Sequence, residues 1–102
     1  MTDTRLLLLS PADNVFVLRG AIDAGETIAL ETGQAVVPAR LGLGHKIARR
    51  DIAAEEKIVK YGAPIGSATT AIPAGAHVHI HNVRSDHTPT YALAATSEEV
   101  PR

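Results

Sequence analysis

Glycine and proline interrupt this chain so often that long helices are excluded. Eight glycines and six prolines are spread through 102 residues and separate short apolar runs. Runs of about four to seven residues between such breaks are typical of β-strands. The sequence therefore predicts a mostly β module with many tight turns. Its predicted strands are residues 5–9, 15–18, 27–30, 34–37, 45–48, 57–59, 66–69 and 76–83. Only residues 10–13, which begin Ser-Pro, and residues 49–57 have the composition for a single helical turn.

One turn pattern recurs three times along the chain. The order apolar-x-Ala-Gly-x-x-apolar occurs at residues 22–28 and 72–78, and again at 52–58 with Glu55 in place of the glycine. This order is typical of a buried residue, a tight turn whose glycine adopts a positive φ, and the start of a strand. We therefore expect a strained, positive φ at Glu55. The copies begin 30 and then 20 residues apart, which is too uneven for a solenoid.

The length of the chain limits what it can do alone. A chain of 102 residues has room for one domain with a modest core. We expect a lead-in at residues 1–10, the domain at 11–95 and a flexible tail at 96–102. A domain of this size cannot enclose a polar, multi-hydroxyl substrate without a partner.

Composition excludes several classes of protein. The formal charge is −1, and Phe16, Tyr61 and Tyr91 are the three aromatic residues, so the usual features of a nucleic-acid-binding surface are missing. There is no cysteine, which removes disulfides and thiolate metal sites and fits a reducing cytoplasm. The longest N-terminal apolar run has four leucines, too few for a signal peptide or a membrane span, so we expect a cytoplasmic protein.

The segment His-Val-His-Ile-His-Asn, residues 77–82, is the richest candidate site. In a strand, His77, His79 and His81 would share one face, and Val78 and Ile80 would face the core. The simpler interpretation is a polar outer face. Three of five histidines at this spacing favour a functional face instead.

Strand geometry limits how these histidines could share a metal ion. Neighbours two residues apart lie about 6.7 Å apart along a strand, and the outer pair lies about 13 Å apart. Imidazole nitrogens bind a metal at about 2.0–2.1 Å. At most two of the three histidines are therefore expected to bind one ion, and the third would contact substrate.

Two further segments carry candidate residues. Lys60 precedes a Gly-x-Pro loop, where a cation could anchor a carboxylate, although the segment taken alone favours an ordinary exposed lysine before a turn. His45 and Lys46 would point to opposite faces of a strand, so only one of them could face a site. No phosphate loop, metalloprotease motif or nucleophile motif is present.

Taken in order, several segments resemble the N-terminal domain of altronate and galactarate dehydratases. They are Gly-His-Lys-Ile-Ala at residues 44–48, Asp-Ile-Ala at 51–53, Lys-Tyr-Gly-Ala-Pro-Ile-Gly at 60–66, and the histidine segment with its turn at 72–82. Pro-x-Asp-Asn-Val at residues 11–15 also fits. The resemblance covers about residues 11–84 and implies a small SAF-type β-clip fold. One departure is Glu55, where the family usually has glycine.

The resemblance also implies a function. Members of this family remove water, or another leaving group such as sulfite, from hydroxy-acids to give 2-keto acids. They depend on a divalent metal, typically iron or manganese, and their catalytic bulk lies in a second, larger domain. In some members the two parts are separate polypeptides. We therefore expect a small subunit that is inactive alone and works with a large catalytic subunit on a small hydroxy-acid.

The resemblance assigns roles to individual residues. Catalytic roles fall to His45, Lys60, His77, His79 and His81, and substrate binding to Lys60, Tyr61 and Asn82. His79 and His81 are the candidate metal ligands. Three alternatives stay open: a non-catalytic SAF-type module that binds carbohydrate or acts like a chaperone, a piece of a full-length dehydratase, and a homo-oligomer when isolated.

Overall fold

The computed structural model describes residues 2–86, which form short strands and no helix. The predicted tail at 96–102 lies outside the described residues. The mostly β class predicted from the glycine and proline breaks is confirmed. The strands are β1 (Leu6–Leu7), β2 (Val15–Leu18), β3 (Thr27–Leu30), β4 (Gly33–Val36), β5 (Lys46–Ala48), β6 (Lys57–Lys60), β7 (Ala63–Ala68), β8 (His77–Val78) and β9 (Val83–Arg84).

These strands form a central sheet and two flanking units. The central sheet has the order β1-β2-β5-β8, and its strands are antiparallel. Strands β3 and β4 form a hairpin by themselves, while β6, β7 and β9 form a three-stranded antiparallel sheet. Since β1 pairs with β2 and buries Leu6, the fold includes residues that the sequence assigned to a lead-in.

Two apolar cores lie on opposite sides of the central pair β2 and β5. Phe16 and its partner Ile47 belong to the first core, whereas the adjacent pair of the ladder, Val15 and Ala48, belongs to the second. Both faces of β2 are therefore buried, which explains its continuous apolar composition. Each fully buried isoleucine or valine contributes about 1.5–3 kcal/mol to folding.

The recurring turn predicted from sequence is present, and it occurs four times rather than three. The turns are residues 23–26, 42–45, 53–56 and 73–76. In each, the backbone N–H of the fourth residue donates to the carbonyl of the first, over 3.0–3.3 Å. The third residues, Gly25, Gly44, Glu55 and Gly75, have φ between 71° and 87°. The positive φ expected at Glu55 is thus confirmed, with a value of 71°.

The apolar residues that flank each turn explain why the pattern recurs. The residue before each turn and the residue two positions after it are buried in all four copies. These pairs are Ile22 and Ile28, Leu41 and Ile47, Ile52 and Ile58, and Ile72 and Val78. The turn thus buries two apolar side chains that are six positions apart and reverses the chain between them. The unpredicted copy, Leu41-x-x-Gly44-x-x-Ile47, had the same signal without the alanine.

Three local predictions are wrong. Residues 10–13 form a β-turn, in which the Asp13 N–H donates to the Ser10 carbonyl over 3.0 Å, and residues 53–56 form the tight turn described above rather than a helical turn. The predicted strand at 76–83 ends at Val78, and the chain turns before β9 begins at Val83. This last difference decides the geometry of the candidate site.

Candidate functional site

The histidine segment folds into a turn because the Asn82 side chain caps it. Asn82 is buried, and its amide oxygen accepts a hydrogen bond from the backbone N–H of His79 over 2.9 Å. Its amide nitrogen donates to the carbonyl of His77 over 2.8 Å. A side chain that satisfies local backbone groups competes with strand pairing. Asn82, predicted to bind substrate, therefore uses both ends of its amide to shape the turn.

This turn overturns the alternating pattern expected for residues 77–81. Val78 is fully buried as predicted, but Ile80 is 83% exposed and does not face the core. The rings of His77 and His81 have centroids 5.4 Å apart, so the expected separation of about 13 Å is wrong. A turn brings these two side chains together where a strand would have kept them apart.

The turn at residues 42–45 brings a fourth imidazole to the same place. His45 precedes β5, and β5 pairs with β8 so that Ile47 lies opposite His77. The Nδ1 atom of His45 lies 3.0 Å from the Nε2 atom of His77. The His77 and His79 rings are stacked, with centroids 5.3 Å apart. His45 and the histidine segment, 32 residues apart in sequence, are thus one site.

Three of these imidazoles have the spacing of a metal-binding group. His45, His77 and His79 each offer one ring nitrogen, and the three nitrogens all lie within 4.8 Å of one another. Nitrogens bound to one metal at about 2.0–2.1 Å lie about 3.0–3.4 Å apart. The observed 3.0 Å contact between His45 and His77 fits that geometry. His81 is not a member of the group.

The electrostatic environment keeps the central imidazole neutral. Burial, followed by repulsion from the neighbouring imidazoles and Lys46, lowers the pKa of His77 to about 4. A neutral imidazole has a free lone pair at neutral pH, which metal binding requires. The arrangement is chemically suited to hold a divalent cation through nitrogen.

Lys46 lies beside the histidines, which the sequence did not predict. It lines a cavity of about 260 Å³ together with His79, and the rest of the lining comes from Ile65, Ile80, Val83 and Ser85. Burial lowers the pKa of the Lys46 ammonium, and repulsion from Lys60 lowers it further. His45 and Lys46 were expected to point to opposite faces, yet His45 contacts His77 and Lys46 lines the cavity beside His79.

Lys60 and Tyr61 lie at the tip of the β6–β7 hairpin, which the motif at residues 11–15 holds in place. The buried Asp13 carboxylate accepts hydrogen bonds from the N–H groups of Tyr61 and Gly62, both over 2.8 Å. Burial alone would raise the pKa of Asp13, but these backbone donors outweigh it and the pKa is lowered. The Asn14 side chain bonds the backbone of β6 twice, at Lys57 and Val59. The Tyr61 side chain is 76% exposed.

Comparison with known proteins agrees with this architecture. The family described as the altronate/galactarate dehydratase SAF domain matches residues 4–86. The chain belongs to this family. The match includes all of the histidines, lysines and the asparagine discussed above.

Named relatives divide into two kinds. The altronate dehydratases of Escherichia coli (strain K12) and Bacillus subtilis (strain 168) are each 38% identical over 74 residues, which is 72% of this chain but 15% of theirs. The (2R)-sulfolactate sulfo-lyase subunit alpha of Chromohalobacter salexigens is 38% identical over 64 residues, covering 63% of each chain. This SAF-family chain thus spans a small part of the dehydratases and most of a sulfo-lyase subunit. No helix within residues 2–86 has the length and apolarity to cross a membrane.

Proposed function

We propose that this chain is the small subunit of a two-component, metal-dependent hydroxy-acid lyase. The observation that carries the proposal is the convergence of His45, His77 and His79 on one small volume. Support also comes from the relatives, which are named as a dehydratase and as one subunit of a sulfo-lyase. The substrate class is a sugar acid such as altronate or galactarate, or sulfolactate.

The proposed metal ligands are His45, His77 and His79. This set revises the pair His79 and His81 expected from sequence, because the His79 and His81 rings have centroids 6.5 Å apart and His81 lies outside the three-nitrogen group. A bound iron or manganese ion would supply positive charge for the carboxylate and the carbanion that forms beside it. Three imidazoles from this chain leave further positions for groups from substrate or from a partner.

The remaining residues of the site suit proton and substrate handling. His81 is exposed, and its ring centroid lies 5.4 Å from that of His77, so we assign it the proton that the leaving hydroxyl or sulfite requires. Lys60 and the exposed Tyr61 are assigned to the substrate, and Asn82 to positioning His77 and His79 through the turn. The 260 Å³ cavity is open and small, so the large subunit is proposed to supply the other wall.

Reconstitution with the cognate large subunit tests the proposal. The purified 102-residue chain should release no 2-keto acid from altronate, galactarate or sulfolactate, and the mixed subunits should release it from one of them. His45→Ala, His77→Ala and His79→Ala should each lower kcat about 100-fold or more. Arg40→Ala, an exposed cation elsewhere, serves as the matched control.

Two outcomes would contradict the proposal. Turnover by the small chain alone would show that it is a complete enzyme. Normal turnover by all of the histidine variants in the reconstituted pair would show that the imidazoles form a polar surface, and would favour the non-catalytic binding module.

A further inference from the structure

The turn that positions His45 differs from the other three copies of the recurring turn at its second residue. The other copies have alanine there, namely Ala24, Ala54 and Ala74. The His45 turn has Leu43 instead, and this side chain is 71% exposed. Since alanine is sufficient for the turn in three copies, the fold itself does not require a large apolar side chain at this position.

Two further exposed apolar side chains lie beside the same imidazoles. Ile80 follows His79 in the chain, and both residues line the cavity of about 260 Å³. Val36 lines a second cavity, of about 430 Å³, together with His77 and His81. Single exposed apolar residues are common on soluble proteins, but a group of them around one site indicates an interaction surface.

Ring contacts bring the elements that carry these side chains together. The centroids of the His45 and His79 rings are 5.5 Å apart, so the turn that carries Leu43 lies against the turn that carries Ile80. Val36 belongs to a third element, β4, and borders the histidines through the second cavity. The three apolar side chains thus surround the three-imidazole group from three separate parts of the fold.

A small hydroxy-acid cannot cover this surface. Its hydroxyl and carboxylate groups lose hydration against leucine, isoleucine and valine, whereas burial of these side chains against apolar protein surface is favourable. Stable protein interfaces bury about 800 Å² on each partner, and their fully buried centre is mostly apolar. The chemistry of the surface therefore fits a protein partner.

We propose that Val36, Leu43 and Ile80 form the docking surface for the large catalytic subunit, which buries these side chains in an apolar recess and so covers the three-imidazole group. The choice of partner rests on the proposed function. It agrees with the share of the matched altronate dehydratases that the alignment covers, which is 15%, because most of each dehydratase lies outside this domain.

Titration of the purified cognate large subunit with the full 102-residue chain tests the docking surface. Isothermal titration calorimetry gives the dissociation constants of the wild type, Val36→Ala, Leu43→Ala and Ile80→Ala. Leu43→Ala introduces the residue that the other three turns already have, so its melting temperature should equal that of the wild type. Each substitution should weaken binding about tenfold or more, because each removes two or three buried carbons from the interface.

The kinetics of Leu43→Ala separate docking from catalysis. At a low concentration of the small chain, turnover by the reconstituted pair should fall in proportion to the fraction of assembled enzyme. At a saturating excess of the small chain, kcat should return to within about twofold of the wild-type value. A kcat that stays low at saturation would assign Leu43 to the catalytic site and overturn its docking role.

Leu7→Ala is the matched control for apolar truncation. Leu7 is an exposed large apolar residue as well, but it lies on β1, at the edge of the central sheet opposite to β8. Its replacement should change the affinity for the large subunit less than about twofold. A loss as large as that of Leu43→Ala would mean that the effect is not confined to the proposed surface.

The remaining outcomes distinguish the docking surface from the lyase. Unchanged affinity in all three variants would overturn the surface, and the lyase would stand if turnover still requires His45, His77 and His79. Weakened binding in a pair that releases no 2-keto acid would keep the surface and refute the lyase, and no binding by the wild type would refute both. Self-association of the isolated chain that Leu43→Ala abolishes, measured by sedimentation, would identify a second copy as the occupant instead.

Discussion

Two pairs of turns share one backbone conformation and differ in the residue that follows the positive φ. In the turns at 23–26 and 53–56, that residue is glutamate. The carboxylate of Glu26 accepts from the N–H of Asp23 over 2.7 Å, and that of Glu56 accepts from the N–H of Ala53 over 2.9 Å. Each glutamate also pairs with an arginine, Arg5 or Arg50. Both ends of these turns are thus tied by a carboxylate.

The turns at 42–45 and 73–76 have no carboxylate at this position. The corresponding residues are His45 and Ala76, and these turns lead directly into the strands that carry Lys46 and His77. The N–H of Ala74 is bonded instead by Asp51, from a neighbouring loop. The difference shows how one turn can serve two purposes. A glutamate at residue 45 would remove one of the three imidazoles whose ring nitrogens all lie within 4.8 Å of one another.

The largest expected effect is a loss of stability on replacing a turn glycine by alanine, compared between Gly75 and Gly25, which occupy the same turn position. An added Cβ at Gly75 would lie 2.3 Å from the Cβ of Ala35, whereas at Gly25 it would meet nothing within 4 Å. Gly75→Ala therefore adds overpacking to the cost of positive φ and should lower stability by about 3 kcal/mol or more. Gly25→Ala should cost about 1 kcal/mol. Urea unfolding measures both, and equal losses would contradict the close approach of Ala35.

The next largest effect is expected on the affinity of the three-imidazole group for a metal ion. His45→Ala, His77→Ala and His79→Ala should each weaken binding of Mn²⁺ or Ni²⁺ to the isolated chain by at least about tenfold, since each removes one nitrogen ligand. His81→Ala is the matched control, because His81 is nearby but outside the three-nitrogen group. Isothermal titration calorimetry gives the affinities. A loss for His81→Ala as large as the others would restore His81 as a ligand.

A smaller effect is expected from the two turns that contain Glu26 and Glu56, because their contribution to stability should depend on pH. The pKa of Glu26 is lowered mainly by its hydrogen bond from the Asp23 backbone, and that of Glu56 mainly by Arg50. A lowered pKa contributes stability that is present above the unfolded value, 4.5, and is lost as the pH falls below it. The double variant Glu26→Gln with Glu56→Gln should melt about 5 °C lower than the wild type at pH 7.

As the pH falls below 4.5 and through the lowered pKa values of the folded state, that difference should shrink toward zero, because the wild-type glutamates then become protonated as well. Scanning calorimetry across this range provides the test. A gap in melting temperature that stays constant with pH would show that the two carboxylates do not act through their charge.

The smallest effect is expected at Glu55, which is the one non-glycine residue at the positive-φ position of the four turns. Glu55→Gly relieves backbone strain but loses the exposed ion pair with Arg84 and adds entropy to the unfolded state. The melting temperature should stay the same or rise by a few degrees. Arg84→Ala reports the ion pair separately, and a clear fall in melting temperature for Glu55→Gly beyond that of Arg84→Ala would contradict the strain argument.

Much of the fold could be predicted because its signals are local. Seven of the eight predicted strands correspond to observed ones within a few residues, and the positive φ at Glu55 followed from its place in the repeat. The strand predicted at 76–83 was wrong because alternation of histidine with Val78 and Ile80 is a period-two pattern, while the residue that ends the strand is Asn82, a buried side chain bonded to the backbone. Competition between a side chain and the strand ladder is invisible to periodicity.

Most residues of the candidate site were predicted from the sequence, but their arrangement in space was not. Lys60, His45 and the histidine segment were all selected, whereas Lys46 was set aside on the assumption that neighbouring strand residues face apart. The structure brings His45 within hydrogen-bonding distance of His77 and lets Lys46 line the cavity beside His79. Pairing of β5 with β8 produces both contacts.

The amino-acid sequence by itself determined the β class, the turn positions and the apolar residues that each turn buries, because φ preferences and burial are properties of single residues and their near neighbours. Only the tertiary structure decided which histidines form a group, how Asn82 folds their segment, and how Asp13 supports the Lys60 loop. Those contacts join residues 32 to 49 positions apart in the chain, or depend on a side chain competing with the backbone. The spacing of residues along the chain does not predict which of them come into contact, because these contacts form only when the two apolar cores pack against the central sheet.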